Sequence, residues 1–98
     1  MIANNDLVSN FVDCNLNGIS NVKMYNGSMH FVGGTLYSYD TAIGQYNTKD
    51  GTFAVNMTKY SQTTTKQRNL LINALKERKI RYTEVNKVKM GTTNLIKN

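Results

Sequence analysis

Turn signals recur at short intervals in the first half of the chain and divide it into short extended segments. Asn26-Gly27 accepts the positive φ angles of a tight hairpin turn, and Gly33-Gly34 can form a second turn of this kind. A polar loop that ends in Asp50-Gly51 follows further along the chain. Residues 20–58 are therefore predicted to form an antiparallel meander of four or five strands.

The order of side chains within these segments agrees with strands. Leu36–Tyr39 alternates in side-chain type, and Ala42–Tyr46 continues the extended chain after a bulge that we expect at Asp40-Thr41. Thr52–Met57 carries apolar residues at every second position, which is typical of a strand with one buried face.

A helix is predicted at residues 64–79, after the meander. Thr64 and Gln67 match the two ends of the S/T-x-x-E/Q capping box, in which each side chain satisfies an N–H group that lacks an intrahelical partner. Four apolar residues are spaced to form one buried stripe along this helix: Leu70, Leu71, Ala74 and Leu75. A short strand is predicted to return near residues 81–86.

These elements predict an α+β fold, in which an antiparallel β-meander of four to five strands is packed by one main helix in the C-terminal half. With 98 residues, the chain is expected to form a single domain, 1–98. The i, i+4 spacing of Leu7 and Phe11 indicates a short amphipathic helix within residues 1–18. Residues 91–98 are expected to form a loosely held tail.

Charge is distributed unevenly along the chain, whose formal net charge is +6. Residues 1–50 contain two cations and four anions, whereas residues 51–98 contain ten cations and two anions. This split predicts a basic face and an anionic partner. The alternative is a lysine-rich surface that reflects an A/T-rich genome, which the abundance of Asn and the excess of Lys over Arg also fit.

The inventory of reactive side chains argues against catalysis and against a metal site. Cys14 and His30 are each the sole residue of their type, whereas a zinc site needs three or four ligands at fixed spacings. These two residues form a Cys/His pair by count alone, and the scattered aspartates form no acid–base motif. We therefore expect no enzymatic activity, no catalytic residues, no metal and no cofactor. The lone cysteine, the lack of a signal peptide and the lack of an apolar run of roughly 20 residues predict a cytoplasmic chain without membrane contact.

The segment Lys59–Asn69 carries the most distinctive cluster of polar groups. Three consecutive threonines lie between cations at the start of the predicted helix, and proteins hold anions with hydroxyls, first-turn N–H groups and positive charge. The alternative is a well-capped helix with incidental lysines, because capping accounts for one threonine and Gln67. The residues predicted to bind a partner or a phosphate are Lys59, Thr63, Thr65, Lys66, Arg68, Lys76, Arg78 and Arg81.

Tyr37 and Tyr39 are candidate stacking residues, because alternation places both on one face of a strand. Aromatic rings on a sheet face can stack the bases of single-stranded nucleic acid. Core packing or cross-strand packing is the alternative for these rings.

Two motifs flank the last strands of the predicted meander. The first reads Leu36-Tyr37-Ser38-Tyr39-Asp40-Thr41-Ala42-Ile43-Gly44, and the second reads Lys59-Tyr60-Ser61-Gln62-Thr63-Thr64-Thr65-Lys66-Gln67-Arg68. Residues 34–76, which contain both, resemble a family of small uncharacterised bacteriophage proteins with the patterns Leu-Tyr-Ser-Tyr-x-Thr-x-Ile-Ala and Lys-Tyr-Ser-x-Thr-Thr-Ser-Lys-His-Gln. Gln67 and Arg68 replace the His and Gln of the second pattern. The resemblance implies phage origin and action in the cytoplasm of an infected bacterial host.

A small chain without an active site suits stoichiometric binding. Together with the resemblance, this predicts an inhibitor of a host defence complex, of the anti-CRISPR type, that meets an acidic protein surface or a guide RNA through its basic half. One alternative is a sequence-tolerant module that binds RNA or DNA. Another is an accessory subunit or a homodimer with no nucleic-acid role.

Overall fold

Within residues 3–96, the part of the chain that the computed structural model describes, six strands form one sheet and two helices cover one of its faces. The elements are, in chain order, α1 (Asn4–Leu16), β1 (Lys23–Asn26), β2 (Met29–Val32), β3 (Thr35–Ser38), β4 (Thr41–Asn47), β5 (Thr52–Asn56), α2 (Gln62–Glu77) and β6 (Tyr82–Val85). The strands lie side by side in this same order. The fold class is α+β, as predicted.

The first five strands form an antiparallel meander whose first three hairpins close in the same way. Each has two loop residues, and the first of them has a positive φ: 58° at Gly27, 57° at Gly33 and 56° at Tyr39. Glycine adopts this conformation readily because it has no Cβ, whereas tyrosine does not. The third hairpin therefore departs from the other two at Tyr39.

A register shift lies between Leu36 and Tyr37, where β3 pairs with β4. The bulge expected at Asp40-Thr41 is thus misplaced, because Asp40 belongs to the hairpin loop and Thr41 pairs with Ser38 as the first residue of β4.

The sixth strand makes the sheet mixed. β6 pairs with β5 in parallel, and Tyr82 at its start lies beside Phe53. Helix α2 separates these two strands in sequence, and a connection of this length allows the returning strand to run in the same direction as the one before it. The strand predicted near residues 81–86 is thus present as β6, whereas the predicted fold of four to five antiparallel strands did not include its parallel pairing.

The core lies between the helices and the inner face of the sheet. Phe11 of α1 makes edge-to-face contacts with Phe31, at 5.5 Å between ring centroids, and with Phe53, at 5.7 Å. All three rings are fully buried. The region predicted to hold a short N-terminal helix thus contains α1, which supplies the centre of the core, while residues 1 and 2 of that region lie outside the described part.

Helix α2 approaches the sheet closely at Gly44. A Cβ atom on Gly44 would lie 2.4 Å from Cδ2 of Leu71, which is fully buried. Glycine at this position therefore sets how near α2 lies to β4.

The C-terminal segment lies along the outer face of the sheet, away from the helices. The Ala42 N–H donates to the Thr92 carbonyl at 2.8 Å, and the Leu95 N–H donates to Oε1 of Gln45 at 2.6 Å. Leu95 is buried in a small apolar cluster with Ala42 and Ala54. The tail predicted to be loose is thus held to the sheet through residue 96, because Leu95 covers apolar surface there; residues 97 and 98 lie outside the described part.

Replacement of Gly44 by alanine should lower the free energy of unfolding by about 1–3 kcal/mol, because the new methyl group overpacks the contact with Leu71. Gly34→Ala is the matched control, since its Cβ would meet its nearest neighbour, Oδ1 of Asn15, at an ordinary 3.5 Å. Urea unfolding of both variants measures the difference. Equal stability of the two variants would contradict the close approach.

Candidate functional site

Ser61 caps helix α2, which begins two residues before the predicted start. Its backbone is extended, and its Oγ accepts a hydrogen bond from the Thr64 N–H at 3.2 Å. The capping box predicted from Thr64 and Gln67 is wrong, because Thr64 already lies in the first turn. Gln67 is buried and donates through Nε2 to Oγ of Ser28 at 2.8 Å.

Thr64, the middle residue of the threonine block, holds the helix to the sheet. Its Oγ1 lies 3.0 Å from Oγ of Ser38 and 3.2 Å from Oγ of Ser61, and its side chain is buried. We call Ser38, Ser61 and Thr64 the hydroxyl cluster. Ser38 belongs to the first sequence motif and the other two belong to the second, so a direct contact explains part of both motifs.

Tyr60 ties the segment before α2 to the loop after β6. Its hydroxyl donates to the Val88 carbonyl and accepts from Nδ2 of Asn56 at 3.0 Å. The Val88 N–H in turn donates to Oγ1 of Thr58 at 2.9 Å. The start of α2 is thereby fixed from both sides, by the hydroxyl cluster and by Tyr60.

An open cleft of about 450 Å³ lies at the start of α2. Its lining residues are Lys59, Tyr60, Ser61, Gln62, Thr65 and Lys66. They include two ammonium groups and no carboxylate. The N–H groups of the first helical turn, which lack intrahelical acceptors, add the positive end of the helix dipole. The cleft has the chemistry to accept a carboxylate or a phosphate.

A second cleft, of about 350 Å³, shares Tyr60 and Ser61 with the first. Tyr39 and Met90 also line it, and both are largely exposed, at 61% and 72%. An exposed aromatic ring and an exposed thioether thus lie close to the two lysines of the first cleft. We call the surface formed by Tyr39, Lys59, Lys66 and Met90 around the two clefts the α2-start surface.

Tyr39 is held in a conformation that is unfavourable for its residue type. A left-handed φ costs a residue with a Cβ about 1–2 kcal/mol. The backbone there is fixed by the Tyr39 N–H, which donates to the Ser28 carbonyl at 2.6 Å. Gly27 and Gly33 occupy the corresponding position of the neighbouring hairpins. Strained residues cluster at functional sites, so the exposed ring of Tyr39 is a candidate for function.

The predicted binding residues do not lie on one surface. Three of them line the first cleft: Lys59, Thr65 and Lys66. Thr63 is exposed at the same end of the helix. Arg68 instead turns its guanidinium toward the Met57 carbonyl, with Nη1 at 3.4 Å from the oxygen.

The remaining three residues of the predicted set lie at or beyond the C-terminal end of α2: Lys76, Arg78 and Arg81. Lys76 is about 15 Å from Lys66 along the helix axis. Arg78 donates to both carboxylate oxygens of Asp13, at 2.8 and 3.2 Å, and so joins the C-terminal ends of α1 and α2. Sequence position alone does not reveal this partner, because 65 residues separate the two side chains.

Met90 was not predicted from the sequence as part of a site. It lies between the strand predicted near residues 81–86 and the tail predicted at residues 91–98, and hydrogen bonds at Val88 and Gly91 bring its segment to the cleft. Lys87 and Lys89 flank Val88 and are exposed. They add positive charge to the loop beside the start of α2.

On the outer face of the sheet, Tyr37 lies in a row of stacked rings with His30 and Tyr25. Ring centroids are 4.9 Å apart for His30 and Tyr37 and 5.0 Å apart for Tyr25 and His30, with interplanar angles of 14° and 11°. We call these three residues the aromatic row. Tyr39 does not share this face with Tyr37, because β3 ends at Ser38 and the chain turns there.

The described residues offer no grouping for a metal ion, and the lone cysteine and the lone histidine lie apart. No cluster of three or more His, Cys, Asp or Glu side chains among residues 3–96 is placed to hold a metal ion. Cys14 lies in α1 on the inner side of the sheet, whereas His30 faces the outer side. In the same stretch of chain, neither helix has the length and apolar character needed to cross a membrane.

Fold and site together define a small α+β protein with a mixed six-stranded sheet and two clefts at the start of its second helix. The chain belongs to a family of unknown function, DUF8033, whose model matches residues 4–87. That range contains both sequence motifs and every element from α1 to β6. Neither the curated proteins nor the solved structures contain a match to the chain.

Thr64→Val should lower the free energy of unfolding by about 1–3 kcal/mol, because the buried Ser38 hydroxyl loses its partner. Thr63→Val changes the same side chain at an exposed neighbouring position and should cost less than about 0.5 kcal/mol. Thermal or urea unfolding distinguishes the two. If both variants lose the same stability, the hydroxyl cluster does not hold the helix to the sheet.

The stability of the protein should fall as the pH is lowered below about 6.5 because of His30. Burial lowers the pKa of His30 below its ordinary value of 6.5, so the unfolded chain takes up a proton before the folded chain does. The His30 contribution is fully present above pH 6.5 and is lost as the pH falls toward the lowered pKa. His30→Phe keeps a ring in the row and should abolish this dependence, whereas an unchanged dependence in that variant would rule out His30 as its source.

Proposed function

We propose that the protein is a stoichiometric binding protein that docks through the α2-start surface onto an acidic surface of a host protein complex. The conformation and exposure of Tyr39 support this most directly. Its exposed ring is presented from a strained backbone position at which glycine would relieve the strain. A side chain that is retained against such a cost is best explained by a contact that it makes elsewhere.

The composition of the α2-start surface matches that of protein interfaces. Tyrosine and methionine are enriched at the centres of interfaces, and lysines at the rim steer an acidic partner. Lys59 and Lys66 face the first cleft without a neighbouring carboxylate among its lining residues. The chain's formal net charge of +6 adds a long-range attraction to negatively charged partners.

The surface is also held rigidly. The hydroxyl cluster fixes α2 to the end of β3, and the Tyr60 hydroxyl fixes the loop that carries Met90. A preorganised surface loses less conformational entropy on binding, which favours affinity.

In this proposal the protein is phage-encoded and acts in the cytoplasm of an infected bacterial host, as an inhibitor of a defence complex of the anti-CRISPR type. Support for this setting comes from the resemblance of the two motifs to small bacteriophage proteins. The contact between Ser38 and Thr64 gives both motifs a role in building the α2-start surface.

Two variants test the docking surface. Tyr39→Gly should keep or raise the free energy of unfolding, by up to about 1 kcal/mol, because it relieves the left-handed φ. It should nevertheless weaken inhibition of the host defence complex, because the partner loses its contact with the tyrosine ring. Lys59→Glu combined with Lys66→Glu should weaken inhibition by at least about tenfold, because it repels an acidic partner.

The assay is plaque formation by targeted phages on a panel of bacterial strains that carry different CRISPR systems and express each variant. The matched control is Lys76→Glu combined with Lys79→Glu, which reverses the same charge at the other end of α2 and should inhibit like the wild type. An equal loss in the control pair would contradict docking at the α2-start surface. Failure of the wild type to restore plaques on any strain would contradict the anti-CRISPR role. A wild-type dimer that Tyr39→Gly converts to monomer would assign the surface to self-association.

A further inference from the structure

We infer that the open end of the aromatic row is a stacking site for an unpaired base of single-stranded nucleic acid. The site comprises the ring of Tyr25, the side chain of Lys23 and the free backbone edge of β1. The site shares no residue with the α2-start surface. It therefore goes beyond the proposed docking function and can be tested independently of it.

The aromatic row has one closed end and one open end. Tyr37 packs against the cluster that contains Ala42 and Leu95, and this closes the inner end. Tyr25 stacks on His30 with one face of its ring. Its other face looks outward over β1, which is the first strand of the sheet, and the side chain is 62% exposed. A flat ring can therefore continue the stack at Tyr25.

The row holds the Tyr25 ring in position before a ligand arrives. Tyr25 lies opposite His30 and His30 lies opposite Tyr37 in the strand register, so each ring rests on a cross-strand neighbour. Stacking on both sides of His30 limits the rotamers of all three side chains. A ligand at the open end thus meets an ordered ring face, which reduces the entropic cost of stacking.

The backbone of β1 presents hydrogen-bonding groups beside this ring. The Gly33 N–H donates to the Val22 carbonyl, which makes this a hydrogen-bonded pair of the β1–β2 hairpin. Hydrogen-bonded and non-hydrogen-bonded pairs alternate in antiparallel strands. The N–H and C=O groups of Lys23 and Tyr25 therefore point away from β2, toward the free edge, where the edge of a base can meet them.

Charge favours a nucleic acid over a neutral or cationic ring ligand. Lys23 is exposed and shares the outer face with Tyr25 through the period of two along β1. The outward-facing residues of β1 to β3, all within the described range, contain no carboxylate: Lys23, Tyr25, His30, Val32, Thr35 and Tyr37. A ring face next to a cation is the arrangement that binds single strands with little sequence preference, because every base has a π face and every linkage a negative charge.

The test is fluorescence anisotropy at low salt with labelled single-stranded DNA and RNA of about ten nucleotides, compared with an abasic strand of equal length and charge. Wild-type protein should bind the base-containing strands at least about fivefold more tightly than the abasic strand. Tyr25→Ala should remove this preference, and Tyr25→Phe should retain it. Leu16→Ala, which removes an exposed apolar side chain at the end of α1, should bind like the wild type.

Several outcomes would overturn the inference. They are absence of binding to either strand at low salt, equal binding of the abasic strand, or an unchanged preference in Tyr25→Ala. Binding that is lost on reversing Lys59 and Lys66 but not on removing Tyr25 would place nucleic acid at the α2-start surface instead. Conversely, a wild-type protein that keeps the base preference but restores no phage plaques would support this site while contradicting the docking proposal.

Discussion

The hydrogen bond between the hydroxyls of Ser38 and Thr64 determines where helix α2 starts relative to the sheet. Apolar burial holds the helix against β4 and β5. Because this interaction is non-directional, it does not by itself fix the position of α2 along the sheet. The buried hydroxyl contact, at 3.0 Å, is directional and is shared with the helix cap at Ser61. It brings the β3–β4 turn to the lysines at positions 59 and 66, which lie before and near the start of α2. The α2-start surface is a consequence of this contact.

Local preference and global structure disagree at one prominent position on that surface. Natural sequences mostly agree with their fold at every level, and exceptions concentrate where function imposes a separate demand. Tyr39 is such an exception, since its backbone suits glycine and its ring faces solvent beside Met90. The aromatic row differs, because its rings satisfy ordinary strand preferences and support one another. Its functional interest lies in the exposed end at Tyr25.

Local sequence patterns predicted the hairpins and the second helix, but not the features that depend on contacts between residues far apart in the chain. Turn pairs such as Asn26-Gly27 and the apolar stripe of α2 have local causes, so they predict hairpins and a helix. The alternation of Tyr37 and Tyr39 misled, because a turn without glycine interrupts it and nothing local marks that turn. The helix start was misplaced because Ser61 and Thr64 both fit a cap, and only the position of Ser38 selects between them. The number of cations can be read from the sequence, but the fold decides which of them lie together near the start of α2 and which lie near its end.

Binding of a partner at the α2-start surface can be measured by amide hydrogen exchange on the free protein and on its complex with a host assembly, because exchange reports protection segment by segment. We expect slower exchange in the complex at residues 38–41, 59–66 and 88–91, with α1 unchanged. Slower exchange confined to α1 or to the C-terminal end of α2, with residues 59–66 unaffected, would contradict it.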